Sequence, residues 1–480
     1  MLNSTSVRVI NILCLLAAIF LILLLPQKKE IWYDESVSMM CSNGLSGRDP
    51  ARLADKKIIN SVEFHAMNTP GNVFAATVDD NANSFLYNMG LHWFLETSGN
   101  SIAAYMMFSK LCGIATLLAI FLLTVTLAGR SLFTALAIVL MATDQVFVGM
   151  SHEVRAYALG IAFVCLAGVF YFRFINGRQR TYNLLLVGLF LAAAILSHFL
   201  SVYIVAFFVL SLLFTMGAKL FRPANVLAML VSVALIGLFF YYAYPGLYIM
   251  KERSAEIKQT TMDQAFSVAT VLTSTLRFIA LNFRMVFPVF VNKLPVVLLS
   301  CVGIGALYFF ALRQAADATI RRNLHLLFGL GLSSSIVLAV LCLKSGHYAA
   351  LYYRYHSFSI PFAILFVAYA VYVLFRGGKW HIGINLGVLA IVVVPVSLLF
   401  ISGLRSAATP MKYNHFAIAR DLVAKKVTVI EVPGWRDAML IHCVLPRNYK
   451  IDYVRNDLGP YFTLHYAGKD ERIPVLESKH

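Results

Sequence analysis

The sequence predicts an all-α polytopic membrane protein with about eleven transmembrane helices, a long first extracytoplasmic loop and a small C-terminal α/β segment. Three observations predict it. Of 480 residues, 60% are hydrophobic and 13% charged, and the mean hydropathy of +0.75 lies far outside that of soluble chains. Apolar runs long enough to cross a bilayer recur along most of the chain, which excludes a single anchor. The net charge of +17 comes largely from short basic clusters between those runs. This is the pattern of cytoplasmic connections facing anionic lipid, not of a nucleic-acid binder.

Val9 to Leu25 is the first run, with Arg8 before it and Pro26-Gln-Lys-Lys after it. No small-x-small cleavage site follows, so an uncleaved first helix is expected. Residues 26–101 are then polar, with short amphipathic pieces such as Ser84 to Leu95, and are too long to be a mere connection. Further runs lie at 102–127, 131–149, 156–172, 182–198, 200–217, 225–244, 294–312, 324–343, 357–375 and 382–402. Arg130, Arg173/Arg178/Arg180, Lys219/Arg222, Arg313/Arg321/Arg322 and Arg376/Lys379 fall in every second connection. That places those connections and the N-terminus in the cytoplasm of a plasma (inner) membrane, and the loops 26–101 and 245–293 and the tail outside.

The tail changes character near Leu404. Met411 to Lys426 has helical spacing, while Val427 to Pro433 and Tyr449 to Arg455 alternate like strands. A transmembrane module over 1–403 and a small extracytoplasmic α/β domain over 404–480 are therefore expected. Of seven cysteines, Cys14, Cys112, Cys165, Cys301 and Cys342 lie in apolar runs, leaving Cys41 and Cys443 as the two that could pair, with the pairing itself open. No metal-ligand spacing is present.

Four patches carry ionisable residues at the expected outer boundary. Asp34 and Glu35 follow the first run, where charge beside hydrocarbon invites a functional role, although an acidic dipeptide also occurs in ordinary loops. Ser151 to Tyr157 opens the fourth run. Helical spacing there sets Glu153 with Tyr157 and His152 with Arg155, and the free N–H groups of a helix start, together with Arg155, would suit a phosphate; the plainer reading is a cluster snorkelling to water. His198 ends the fifth run and reads first as a packed, hydrogen-bonded histidine. The stretch from Lys344 to His356 holds Tyr353 and Arg354 within an aromatic belt, with Arg354 suited to an anionic headgroup.

A carboxylate beside a lipid-bound phosphate points to one reaction. A sugar carried on a polyprenyl phosphate needs a base for the acceptor hydroxyl and cations for the departing phosphate. One base opposite one leaving group implies inversion at the anomeric carbon. Nothing resembles a Gly-rich phosphate loop or a nucleotide-sugar domain. No cofactor is required; the carboxylates could hold a divalent metal, which a monophosphate donor does not demand.

These residues resemble the membrane glycosyltransferases of the GT-C fold, in particular the bacterial relatives of protein O-mannosyltransferases and of the lipid A aminoarabinose transferase. The resemblance rests on Tyr33-Asp34-Glu35, on His152-Glu153-x-Arg155-x-Tyr157, on Ser197-His198-Phe199 and on Tyr353-Arg354-Tyr355, over roughly residues 1–375. It implies Asp34 as base with Glu35 beside it, and Arg155 on the donor phosphate; from their own placement Arg354 and Tyr353 are expected on the same phosphate, with a pocket shaped by His152, Glu153, Tyr157, Tyr87 and His198. The implied partners are a polyprenyl-phosphate sugar, a protein, lipid or glycan acceptor, and membrane lipids. In place of a His-Pro-Pro-Leu-Tyr-like stretch stands Ala82 to Tyr87, which keeps Tyr87 and lacks the prolines. The alternatives are a lipid-linked saccharide flippase, which would show two related halves, a surface-polysaccharide polymerase or ligase, and an assembly protein in which the acidic pair has no catalytic role.

Overall fold

Hydrocarbon offers no partner to a backbone N–H or C=O, so each apolar run closes its hydrogen bonds internally as a helix. The computed structural model describes residues 4–24, 31, 33–46, 61–129, 131–177, 180–246, 266–286, 290–346, 353–376, 415–432, 440–441, 443–446, 449, 451–455, 461–466 and 469–474. The chain begins with α1 (Ser4–Leu24). The first loop then folds as α2 (Tyr33–Ser42), α3 (Ser61–Phe64), α4 (Pro70–Asp79) and α5 (Phe85–Ser98). The bundle continues with α6 (Ile102–Ala128), α7 (Leu132–Ala142), α8 (Gln145–His152), α9 (Tyr157–Ile175), α10 (Thr181–Ser197), α11 (Val202–Met216) and α12 (Pro223–Tyr242). It is completed by α13 (Val268–Asn282), α14 (Leu294–Gln314), α15 (Ala318–Ser345) and α16 (Ile360–Arg376).

Ten of the expected runs are helical, and the eleventh, 382–402, lies outside the described residues. Among the described residues eight helices are long and apolar enough to span a membrane, and α7 with α8 makes a ninth if the pair, bent by 62°, is one span. The protein is thus a multi-pass membrane protein. Helix α10 is 17 residues long, and α13, in a stretch expected as loop, has 15. Both fall short of a full span.

Burial separates the centre of the bundle from its rim. The span ending in α16 has 89% of its window buried, whereas α1 and α12 have 17% each. Leu13, Leu16 and Phe20 of α1 and Leu227 and Leu230 of α12 are exposed, an arrangement suited to lipid and costly in water. Helix α9 packs on α6 and α10, and α16 on α15, α14 and α7. A Cβ on Gly331 would lie 2.9 Å from the Ala363 Cα, so glycine is what lets α15 approach α16.

The break between α7 and α8 is built by Asp144. Its carboxylate accepts the Phe147 N–H at 2.6 Å, capping α8. It also pairs with Arg284, just beyond α13, and both side chains are buried, at 1% and 5% exposure. Two charges with little water around them are held in place by each other's field.

The tail adds α17 (His415–Ala424) and a four-stranded sheet of β1 (Val429–Val432), β2 (Asp452–Arg455), β3 (Tyr461–Tyr466) and β4 (Lys469–Pro474), in the order β2-β1-β3-β4. Strands β1 and β2 are parallel, with Val429 opposite Asp452; β3 runs antiparallel to both β1 and β4. The α/β character is as expected, with two strands more than the alternation indicated. Residues 377–414, where the expected domain boundary falls, lie outside the described set. Cys41 and Cys443 are both buried and both free thiols, so no disulfide joins them.

The ion pair gives a test. Asp144→Asn keeps a capping side chain but removes the carboxylate charge paired with the buried Arg284 guanidinium, and should lower stability by about 3–5 kcal/mol. Adding Arg284→Met should recover most of the loss. Thermal unfolding in detergent reads both, and an unchanged midpoint for the single variant would refute a stabilising pair.

Candidate active site

The acidic motif is positioned from behind. At the end of α2, Ser42, Asn43 and Gly44 enter a network buried between the first-loop helices and α6. The Asn43 amide donates to the Phe64 carbonyl and to the Tyr105 hydroxyl, each at 2.7 Å. Asn100 donates to the Asn43 side-chain oxygen at 3.0 Å and Asn68 to its carbonyl at 2.8 Å. His92 Nδ1 lies 2.9 Å from the Ser42 carbonyl. Gly44 has φ +75°, and a Cβ there would meet the Asn68 and Asn72 side chains at 2.8 and 2.9 Å. Only glycine fits this turn. With the far end of α2 fixed, its first turn holds Asp34 and Glu35, two anions where the helix dipole favours them.

From the other side come the ends of α8 and α9. The sequence suggests one helical turn over Ser151 to Tyr157, and the structure corrects this. Helix α8 ends at His152, Glu153 is extended with ψ 136°, and α9 begins at Tyr157. Residues 153–156 form a bend in which the Arg155 N–H reaches back to the Glu153 carbonyl at 2.7 Å. The reason is Glu35: its carboxylate, 1% exposed, accepts the Val154 N–H at 2.8 Å. The backbone donor expected for a phosphate is taken by a carboxylate from the first loop. His152 does not face Arg155 across a turn. Its ring nitrogens lie 2.8 Å from the Val148 carbonyl and 3.1 Å from that of Ile22, strapping α8 to the end of α1, where Lys110 also donates to the Leu23 carbonyl at 2.9 Å.

Asp34 is where the patches meet. Arg155 Nη1 donates to its backbone carbonyl at 3.1 Å, and Nη2 stands 3.6 Å from its Oδ2. Arg354, distant in sequence, brings Nη1 to 3.3 Å of the same Oδ2. These side chains are 36%, 18% and 32% exposed for Asp34, Arg155 and Arg354, an accessible rim and not a sealed core. Oδ1 of Asp34 makes no hydrogen bond or ion pair among the described residues. Each guanidinium lies over an aromatic ring, Arg155 over Tyr157 at 5.7 Å and Arg354 over Tyr355 at 5.4 Å, which helps to fix it.

His198 completes the wall. Its ring lies 4.3 Å from that of Tyr157 and 5.7 Å from Phe358. Nδ1 accepts the Leu200 N–H at 3.3 Å as the cap of the 3₁₀ turn Phe199–Ser201, so the proton sits on Nε2. That Nε2 is buried and has no hydrogen-bond partner among the described residues. Burial, and then the charges of Arg155 and Arg354, push the ionisation of His198 well below the ordinary imidazole range, so the ring is neutral.

Other predicted residues stand apart. Tyr87 is fully buried, its hydroxyl 2.9 Å from Ser109, in the core shared by the first-loop helices and α6. Glu153 supplies the bend. The Tyr353 side chain lies outside the described residues. Sequence reasoning missed Asn43, Asn100 and His92, which hold α2, and Asp80, whose charge acts on Arg155. It also missed Asn83, whose side chain accepts the Phe199 N–H at 3.1 Å and ties the first loop to the His198 turn. The Val78-Asp-Asp-Asn81 run was the one local signal available.

Among the described residues no three His, Cys, Asp or Glu side chains converge as metal ligands. Around Asp34 Oδ2 the neighbours are guanidinium donors, which do not fit a divalent cation.

No protein-family model matches the chain, nor does any characterised protein sequence. Solved structures do match. ArnT from Cupriavidus metallidurans in the apo state superposes with a TM-score of 0.52 at 13% identity, covering 95% of this chain and 86% of ArnT. The same protein bound to undecaprenyl phosphate gives 0.48 at 13% identity, over 92% of this chain and 75% of the other. The Archaeoglobus fulgidus oligosaccharyltransferase in complex with Zn and sulfate gives 0.45 at 12%, over 94% and 59%. These are GT-C proteins, and the chain has the GT-C fold.

The tautomer of His198 is open to measurement. In the ¹⁵N side-chain spectrum of the purified protein it should show the Nε2–H form and no titration from about pH 8 down to about pH 5.5, below the ordinary histidine midpoint. A titrating signal near that midpoint would contradict the neutral ring.

Proposed function

We propose that this GT-C scaffold is a membrane glycosyltransferase that moves a sugar from a polyprenyl phosphate to an acceptor hydroxyl on the extracytoplasmic side. The observation that carries the proposal is the convergence of Arg155 and Arg354 on Asp34 Oδ2, at 3.6 and 3.3 Å, with Oδ1 left free. Two guanidiniums converge on one carboxylate at an accessible rim, with Asp80 acting on Arg155 as well. A phosphate monoester or diester matches the two guanidiniums in charge and geometry.

In this mechanism the donor phosphate lies against the two guanidiniums on the faces away from Asp34. Asp34 Oδ1 takes the proton of the acceptor hydroxyl as its oxygen bonds to the anomeric carbon. The bond from that carbon to the phosphate oxygen breaks, and its electron pair leaves with the lipid phosphate, whose charge Arg155 and Arg354 stabilise. Attack opposite the leaving group inverts the anomeric centre. Asp34 serves twice, because the carboxylate that receives the proton also holds both guanidiniums in place. Glu35 keeps α2 against the 153–156 bend, and neutral His198 offers its Nε2–H to an oxygen of the bound donor.

The basic clusters support the outward side. Arg173 closes α9 at the end away from Arg155, and Arg322 reaches that same end, donating to Asn176 at 2.6 Å. The positive end would be cytoplasmic, which puts Asp34 outside. ArnT, whose apo form has this fold, also has a crystal structure with undecaprenyl phosphate.

Transfer of radiolabelled sugar from a panel of polyprenyl-phosphate sugars tests the proposal. Asp34→Asn should lower turnover by about 10²–10⁴-fold while leaving donor binding within a few-fold. Arg155→Ala and Arg354→Ala should each weaken donor affinity, by roughly ten-fold to a hundred-fold. Near-normal transfer by Asp34→Asn would remove it as the base. Tight donor binding without turnover in the parent protein would instead indicate a carrier.

A further inference from the structure

At the end of the bundle opposite Asp34, the ends of four helices enclose a cavity of about 260 Å³. Helix α9 has 19 residues from Tyr157 to Ile175, so at about 1.5 Å per residue its two ends stand about 28 Å apart, close to the thickness of the hydrocarbon layer. Phe174, next to its last residue, lines the cavity together with Met216, which closes α11. The cavity therefore sits at the other membrane interface.

Its floor is apolar and its mouth is cationic. Lys219, in the 3₁₀ turn Gly217–Phe221, and Arg222, which precedes α12, both line it and both are exposed. Among the described residues neither has a carboxylate at ion-pair distance, whereas Arg155 and Arg354 share Asp34 and Arg284 has Asp144. The wall is built by Asn225, 6% exposed, which donates to the Lys219 carbonyl at 3.0 Å and accepts from the Thr181 hydroxyl at 3.2 Å. This amide ties the turn, α10 and α12 into one frame, so the cations project from a fixed rim. Outside the mouth Phe214, Phe221 and Leu227 are exposed at 87%, 64% and 64%, an apolar shelf running along the lipid face.

We propose that this cavity binds the phosphodiester headgroup of an anionic phospholipid, with the acyl chains lying on the shelf formed by α11 and α12. Uncompensated positive charge calls for an anion, and the apolar shelf beside it calls for an anion attached to hydrocarbon. A free phosphate would leave that shelf unused. The site is remote from Asp34 and independent of the chemistry proposed there.

The full-length protein in detergent, given phosphatidylglycerol, phosphatidylcholine or inorganic phosphate and followed by native mass spectrometry and thermal unfolding, tests this. Phosphatidylglycerol should be retained and raise the unfolding midpoint, with phosphatidylcholine and phosphate much weaker. Lys219→Gln with Arg222→Gln should cut phosphatidylglycerol affinity by about ten-fold to thirty-fold. Ala224→Trp, which fills the lining without changing charge, should cut it comparably. Arg173→Gln with Arg313→Gln, which removes two basic side chains of the same end that stack on Phe170 and Phe309, should leave it within two-fold. Equal retention of phosphatidylcholine, protection by phosphate alone, or as large a loss in the Arg173/Arg313 control would each overturn the proposal.

Discussion

The hydrogen bond from the Val154 N–H to the Glu35 carboxylate, 2.8 Å long and sealed from water, is the constraint on which the site depends. It joins the first turn of α2 to the break between α8 and α9. A charged acceptor in a buried setting is worth about 1.5–3 kcal/mol when satisfied and costs more when stranded, so the contact resists being exchanged for another. The meeting of Arg155 with Asp34 follows from it. Arg155 is one residue from Val154 and Asp34 one from Glu35, so fixing this pair brings the guanidinium to the neighbouring carboxylate.

The acidic dipeptide thus divides its labour by depth. Glu35, turned inward, is spent on the backbone and holds the geometry. Asp34, turned outward, meets two cations through one oxygen and leaves the other without a partner among the described residues. The same division recurs among the histidines: His152 and His92 are tied to carbonyls, while His198 keeps a proton on a nitrogen that nothing has claimed. In a chain this apolar, a buried polar atom without a partner is conspicuous, because lipid and packed side chains cannot satisfy it.

Much of this was legible in the sequence, and what was not has physical causes. The spans could be read because an apolar run in a membrane has few alternatives to a helix. Asp34, Arg155, His198 and Arg354 could be picked out because ionisable residues are scarce near hydrocarbon and so stand out. The helix break at Glu153 could not, since no proline or glycine marks it and its cause, Glu35, lies in another segment. Nor could the anchoring role of Asn43, Asn100 and Asn83, for an asparagine in a polar loop looks the same whether it faces water or holds three elements together. Helix α13 was missed because an amphipathic segment shorter than a span gives no length signal. The last two strands were missed because charged residues interrupt the alternation in Lys469-Asp-Glu-Arg-Ile-Pro474.

Leu440 and Cys443 of the tail pack in the same core as Ile31, Met39 and Met40 beside the acidic motif, and Val444 also touches the separate core of the tail sheet. The compartment around Glu35 is therefore walled by residues from both extremities of the polypeptide. During synthesis the acidic helix emerges early and its last wall emerges late. A nascent chain carries the Asp34–Glu35 pair through most of translation without a finished compartment around it. Arrival of the segment holding Leu440 and Cys443, rather than insertion of the first helices, marks the moment at which that compartment can close.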